Sequence, residues 1–74
     1  MRSSNRRSQA GANIRRIRIK AGITQENLAR EVGVTVHTIW RLESDPAANP
    51  RLHTLLAVAK ALGVTISELL EECE

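Results

Sequence analysis

The sequence predicts an all-α domain of five helices, and three observations support this prediction. Apolar side chains recur every three or four positions, which is the period of a helix with one buried face. Glycines follow three of these segments, and threonines stand where later helices would begin. The alternating valines of VGVTVHTIW are typical of a strand instead. Because no second strand is available to pair with its backbone, the helical interpretation is favoured.

The first helix is predicted from about residue 10 to residue 21. Three apolar side chains at three- and four-residue steps give it one buried face: Ile14, Ile17 and Ala21. Gly22 follows and readily adopts the positive φ that ends a helix.

A basic segment, residues 1–9, precedes this helix and includes Arg6 and Arg7. It has no apolar side chain after its first residue, so it is predicted to be a flexible arm or a frayed extension of the first helix. An acidic tail, residues 71–74, closes the chain. The domain itself is therefore predicted to span residues 10–70.

The second and third helices are predicted to be short and to meet at a turn containing Gly33. Thr24 offers its hydroxyl as the N-cap of the second helix, and Thr35 does the same for the third. The third helix is predicted from about Val36 to Glu43 or Ser44. The side chains predicted to be buried in these two helices are Leu28, Ala29, Val32, Ile39 and Leu42.

A loop with two prolines, SDPAANP, separates the third helix from the fourth. The fourth helix carries an apolar stripe and ends at Gly63. Thr65 and Glu68 have the spacing of a capping box, which predicts a short fifth helix containing two adjacent leucines. The predicted stripe of the fourth helix consists of Leu52, Leu55, Leu56, Ala59 and Leu62.

Two short helices joined by a turn with glycine form a helix-turn-helix. Ala29 is small where the two helices would cross, and Gly33 accepts the positive φ of the turn. Ile39 and Leu42 would attach the second of these helices to the core. His37 and Arg41 are four residues apart and opposite these apolar positions, so both should face outward.

Charge is distributed unevenly along the 74 residues, whose formal net charge is +3. The first 20 residues contain seven basic side chains and no acidic one, whereas four glutamates lie in the last seven. A basic first segment predicts contact with a polyanion. The chain has no apolar run of membrane-spanning length and no signal-peptide block, so we expect it in the cytoplasm.

The sequence contains no set of residues that indicates a disulfide, a metal site or a catalytic centre. Cys73 is the only cysteine, which excludes an internal disulfide and a multi-cysteine zinc site. It lies among acidic residues that disfavour the reactive thiolate. His37 and His53 fall on different helices without further ligands at metal-binding spacing. We therefore expect no metal, no cofactor and no enzymatic activity.

The sequence resembles the Cro/C1-type (XRE) helix-turn-helix family, which includes lambdoid phage repressors and small controller proteins. The resemblance runs through IRRIRIKAGITQENLAREVGVTVHTIWRLES and NPRLHTLLAVAKALGVTISELL. It implies a compact, lambda-repressor-like domain of five helices whose third helix enters the major groove. It also implies a transcriptional regulator, with repression as the expected action, that binds a palindromic operator as a homodimer.

The resemblance assigns base contacts to four residues: Thr35, Val36, His37 and Arg41. Arg41 has the geometry to bind guanine O6 and N7, and His37 to donate to N7 or to a phosphate. Val36 or the Thr35 methyl group would contact a thymine methyl group. The predicted phosphate or minor-groove contacts are Thr24, Gln25, Thr38, Asn49, Arg51, Arg6 and Arg7.

The resemblance also implies an ion pair between Arg18 and Glu43 that ties the first helix to the third. The candidate dimer contacts are Val64, Ile66 and Leu70, since a short last helix buries only one of two adjacent leucines well. Trp40 replaces a residue that is often small or polar in the family, and it would pack over the loop or lie along the DNA backbone.

Two departures from the family pattern shift the expected DNA contacts. The loop lacks a cation and contains Asp45, so affinity would depend more on the basic arm, the first helix and Arg51. Arg51 also stands where a small polar residue commonly caps the fourth helix, a loss that Asn49 or water would compensate. The alternative function is an antitoxin-like protein-interaction module whose partner is a protein such as a toxin.

Overall fold

The computed structural model describes the backbone of residues 6–45 and 50–70 and the side chains of residues 10–45 and 50–70. Over these ranges the chain forms five α-helices and no strand, as predicted. The helices are α1 (Arg6–Lys20), α2 (Gln25–Val32), α3 (Val36–Ser44), α4 (Leu52–Leu62) and α5 (Ile66–Leu70).

The ends of the helices follow the predicted local signals. The Asn27 N–H donates to Thr24 Oγ1 over 3.0 Å at the start of α2, and the Thr38 N–H donates to Thr35 Oγ1 over 3.2 Å at the start of α3. Gly33 has a φ of 89° and ends α2, so the chain turns sharply there. The alternating valines therefore span a helix end and a turn.

The first helix begins earlier than its predicted start at about residue 10, and residues 6–9 follow the alternative in which the basic segment extends this helix. The helix begins at Arg6, so the backbone of Arg6 and Arg7 belongs to α1 and not to an extended arm. Residues 6–9 contain no glycine or proline that would break an additional helical turn, although the positive charges of Arg6 and Arg7 oppose the helix dipole there. Ala21, predicted to be buried in this helix, lies beyond its end and is exposed, while Ile17 is half-buried.

All five helices contribute to one aliphatic core. The fully or almost fully buried apolar side chains are Ala10, Ile14, Leu28, Ala29, Ile39, Leu42, Leu55, Val58, Ala59 and Leu69. The prediction for α4 is wrong in two positions, because Leu52 and Leu56 are each 51% exposed. They lie at one edge of the stripe, and the helix is rotated so that Val58 faces the core instead.

Two contacts of α1 fix its position against the rest of the domain. Gly11 is buried where α1 crosses α3, and a Cβ atom at this position would collide with the Leu42 carbonyl oxygen. The buried Asn13 side chain donates to the Leu69 carbonyl oxygen of α5 over 2.8 Å. The close approach of α1 and α3 therefore requires that Gly11 has no side chain.

Candidate nucleic-acid interface

α3 has one buried face and one exposed face. Ile39 is fully buried, and Leu42 is 9% exposed. The opposite face carries Val36, His37, Trp40 and Arg41, all of which are exposed. The cap at Thr35 fixes the first turn, and its hydroxyl also lies 3.0 Å from the Thr38 hydroxyl. The helix thus presents the predicted base-contacting residues together, on the surface, at its first two turns.

Trp40 occupies neither a core position nor a site under neighbouring helices. Its side chain is 52% exposed, and its ring stacks on His37 with centroids 5.8 Å apart and an interplanar angle of 21°. Both residues were predicted on this helix, but their contact was not. The stack limits the orientations open to the imidazole.

Arg41 approaches Asp45 one turn later, with 3.9 Å between Arg41 Nη2 and Asp45 Oδ2. The two side chains are 57% and 40% exposed, so water screens the pair and it contributes about 0–1 kcal/mol at most. Asp45 was expected only as an unfavourable charge in the loop. In the structure it is a weakly held local partner of Arg41.

A cleft of about 460 Å³ opens between α3 and the start of α4. Its polar and charged lining comes from His37, Thr38, Arg41, Arg51, His53 and Thr54, and its described lining contains no acidic residue. Arg51 stands at the N-cap of α4 without a side-chain cap bond, so the first N–H groups of this helix lack a side-chain acceptor from the cap residue. Such a cleft suits a phosphate group.

Three helices meet at the carboxylate of Glu43. Arg18 of α1 donates from Nε to Oε2 over 2.6 Å and from Nη2 to Oε1 over 3.0 Å. Its Nη1 also donates to the Ile23 carbonyl oxygen over 2.8 Å. Gln25 of α2 donates from Nε2 to Glu43 Oε1 over 3.0 Å. The predicted partners Arg18 and Glu43 are thus brought together, and Gln25 has a structural contact that sequence analysis missed.

The hydrogen bonds from Arg18 to Glu43 raise the pKa of Arg18 above its ordinary value. Burial opposes this increase, and the attraction of the two charges adds to it. The Arg18 side chain is 10% exposed and that of Glu43 is 1% exposed. The guanidinium therefore remains charged and committed to α3.

The start of α2 borders a second depression beside α3. Thr24, Gln25 and Val36 line it together with Arg15 and Arg18 of α1, and Glu26 adds one acidic side chain. Arg15 is exposed and was not among the predicted DNA contacts. Its position near two predicted phosphate contacts is evident only when α1 and α2 are packed together.

The remaining predicted site residues divide into two groups. Asn49 and the side chains of Arg6 and Arg7 lie outside the described residues. Val64, Ile66 and Leu70, the candidate dimer contacts, are half-buried and pack partly against the core of their own chain. Leu69 takes the fully buried position of the two adjacent leucines.

The described residues offer neither a membrane span nor a metal-binding cluster. None of the helices over residues 6–45 and 50–70 is both long and apolar enough to cross a membrane. In the same part of the chain, His, Cys, Asp and Glu side chains form no group of three or more that could hold a metal ion.

Comparisons with known proteins agree with this geometry. A family model described as helix-turn-helix matches residues 14–69. The clp gene regulator ClgR from Corynebacterium glutamicum is similar in structure, with a TM-score of 0.83 and 26% sequence identity over 93% of this chain and 72% of that chain. A comparison with curated protein sequences finds no match.

Two further solved structures are similar. SinR, the master regulator for biofilm formation from Bacillus subtilis, was solved in complex with DNA. It is 27% identical, with a TM-score of 0.77 over 84% of this chain and 98% of that chain. The restriction-modification controller protein C.AhdI from Aeromonas hydrophila is 29% identical, with a TM-score of 0.77 over 84% of this chain and 92% of that chain.

Proposed function

Because the chain belongs to the XRE-type helix-turn-helix family of DNA-binding transcription regulators, we propose that it binds one specific duplex sequence and represses transcription there. The family and its solved members are regulators rather than enzymes. The observation that carries the proposal is the exposed face of α3, which groups hydrogen-bonding and apolar side chains while Ile39 and Leu42 hold the helix in the core.

Direct readout would come from the exposed face of α3 lying in the major groove. Arg41 would release Asp45 and donate two hydrogen bonds to guanine O6 and N7. His37 would donate to a neighbouring purine N7 or to a phosphate. Val36 or the Thr35 methyl group would contact a thymine methyl group. The exposure of these side chains supports this assignment, because none must leave the core to reach a base.

Phosphate contacts would flank the recognition helix on both sides. On one side, Arg51 and the first N–H groups of α4 border the cleft next to Arg41. On the other side, Thr24 and Gln25 lie at the start of α2 near Arg15. Thr38, Asn49, Arg6 and Arg7 are further candidates. A DNA backbone passing each side of α3 would meet these groups.

We propose a homodimer on a palindromic operator, with Val64, Ile66 and Leu70 at the interface. Their half-buried side chains leave apolar area that a second copy would cover. The same protein would act in the cytoplasm by occluding a promoter. A protein partner such as a toxin is the alternative, and it would not require the exposed face of α3.

In vitro selection from random duplexes, followed by titration at several salt concentrations, tests the proposal. We expect a selected palindrome and an affinity that falls with salt. For about six to eight neutralised phosphates per dimer, the slope of log affinity against log salt should lie near −5 to −7. No enrichment of any sequence, or a slope near zero with the selected duplex, would refute sequence-specific DNA binding.

A further inference from the structure

Trp40 is a large aromatic side chain that the core does not use. It is the only Trp in the chain, which has no Tyr and no Phe, and it is 52% exposed. Indole rings usually become buried against other protein groups or against a ligand, because their apolar area is large. An exposed indole on the helix proposed to enter the groove is therefore available to a partner outside the described residues of its own chain.

The surroundings of Trp40 define what this partner would be. His37 stacks on the indole with ring centroids 5.8 Å apart. Val36, which is 42% exposed, lies four residues before Trp40 and hence on the same side of α3. Indole and valine together form an apolar strip beside the polar Arg41. A matching partner would present an apolar group next to the hydrogen-bond acceptors of guanine or adenine.

The major groove provides one prominent apolar group, the 5-methyl group of thymine. Phosphates border the groove but offer no apolar surface for an indole to cover. We propose that Trp40 is a specificity-determining residue that packs on a thymine methyl group and holds the His37 imidazole in position to donate to the adjacent base pair. This inference rests on the proposed function, because it requires α3 to lie in the groove.

Replacing thymine by deoxyuridine tests this proposal, because the change removes only the methyl group. Single replacements would be made through the selected operator, and affinities measured with an end-labelled duplex. Wild-type protein should lose about fourfold at the thymine that Trp40 covers in each half-site, apart from any loss at a thymine that Val36 or Thr35 contacts. A fourfold loss corresponds to about 0.8 kcal/mol for one buried carbon. Trp40→Ala should bind the thymine duplex more weakly and lose nothing further with uracil, whereas Trp40→Phe should keep most of the difference.

Val36→Ala is the matched control, because Val36 is the other apolar side chain of the strip. If Val36→Ala abolishes the uracil effect while Trp40→Ala retains it, valine reads the methyl group and the proposal is wrong. Both side chains are exposed, so neither change opens a cavity in the core. Circular dichroism would verify that both variants keep their helices.

Fluorescence separates this proposal from the proposed function, because all tryptophan emission comes from Trp40. Acrylamide quenching should fall about twofold or more when the operator is added. A wild-type protein that binds no duplex would refute the proposed function. If the operator binds, unchanged quenching overturns only the Trp40 proposal. If the operator reduces acrylamide quenching but uracil replacement never changes affinity, the indole lies on the DNA backbone. This result would also overturn the Trp40 proposal.

Discussion

The guanidinium of Arg18 donates two parallel hydrogen bonds to the carboxylate of Glu43, linking α1 to the last turn of α3. Only 10% and 1% of these side chains are exposed. Gln25 of α2 donates to the same carboxylate. The Glu43 carboxylate therefore connects three helices, and the orientation of the proposed recognition helix depends on it.

Removing the Glu43 carboxylate should destabilise the domain strongly. Glu43→Ala leaves the buried guanidinium without a counter-charge, a change that typically costs about 3–5 kcal/mol. Urea unfolding followed by circular dichroism measures this cost. Glu31→Ala is the matched control, because it removes an exposed carboxylate of α2 and should cost less than about 1 kcal/mol. Equal costs for the two variants would contradict a structural role for the Arg18–Glu43 pair.

The double variant Arg18→Met, Glu43→Leu should be less destabilised than Glu43→Ala alone. It removes both charges together and leaves no unpaired ion, and such exchanges are often close to neutral. A double-mutant cycle with Arg18→Met and Glu43→Leu as the single changes measures the coupling. We expect a coupling of about 1–3 kcal/mol. Simple additivity would show that the two groups do not stabilise each other.

The contribution of Arg18 should not change from about pH 7 to about pH 10. Hydrogen bonds to Glu43 raise the pKa of this guanidinium above its already high ordinary value. A group with a raised pKa stabilises fully below its unfolded value and loses this effect only as pH rises through the folded value. The difference in unfolding free energy between wild type and Arg18→Met measures the contribution. A steady decline over this range would contradict the assigned charge state.

Gly33→Ala should destabilise the domain by about 1 kcal/mol, because its φ of 89° strains an L residue. Gly63→Ala is the matched control, since Gly63 also has a positive φ, and a Cβ at either position meets nothing within 4 Å. Both changes should cost similar unfolding free energy in urea. Only Gly33→Ala should alter operator affinity, because it lies in the turn between α2 and α3.

Gly11→Ala should cost more than Gly33→Ala. The new Cβ atom would collide with the Leu42 carbonyl oxygen, so α1 and α3 must separate. Overpacking of this kind typically costs about 1–3 kcal/mol. Thermal unfolding measures the loss, and Ala12→Gly on the exposed side of α1 controls for helix propensity. A stability equal to that of wild type would show that the close crossing does not exist.

Arg41→Ala should weaken operator binding by about 1–3 kcal/mol and relax the preference at one base pair. The reason is the loss of a bidentate contact to guanine. Affinities for a panel of operators with single base-pair changes measure both effects. Lys60→Ala, which removes an exposed cation from the last turn of α4, should leave the preference unchanged. If Arg41→Ala binds the whole panel as wild type does, the proposed base contact is wrong.

Sequence signals predicted the structural features that depend only on residues close to each other in the sequence. Thr24, Thr35 and the pair Thr65 and Glu68 cap helices as expected, since a cap needs only a hydroxyl three residues before an N–H. The start of α1 was missed because residues 6–9 carry no apolar side chain, so the helical period that predicted the other helices is absent there, although Asn5 is an N-cap residue type just before Arg6. Gly11 was missed because a tight helix crossing depends on the distant Leu42.

For the candidate site residues, sequence spacing predicted exposure on α3 but not the contacts between side chains. Helical spacing was sufficient to place His37 and Arg41 outward. The stack of His37 on Trp40 depends on side-chain rotamers, and the bond from Gln25 to Glu43 depends on how α2 and α3 pack. The exposure of Leu52 depends on the rotation of α4, which its own apolar stripe does not determine.

Amide NMR spectra of the uniformly labelled protein, recorded while the selected operator is added, test the central claim most directly. The account predicts that the largest changes lie at the start of α3, in Val36, His37 and Arg41, and around the Arg51 cleft. The amides of the last turn of α4, around Lys60, should change little. Changes confined to α5 and the approach to it, with the α3 amides unaffected, would contradict recognition through this helix.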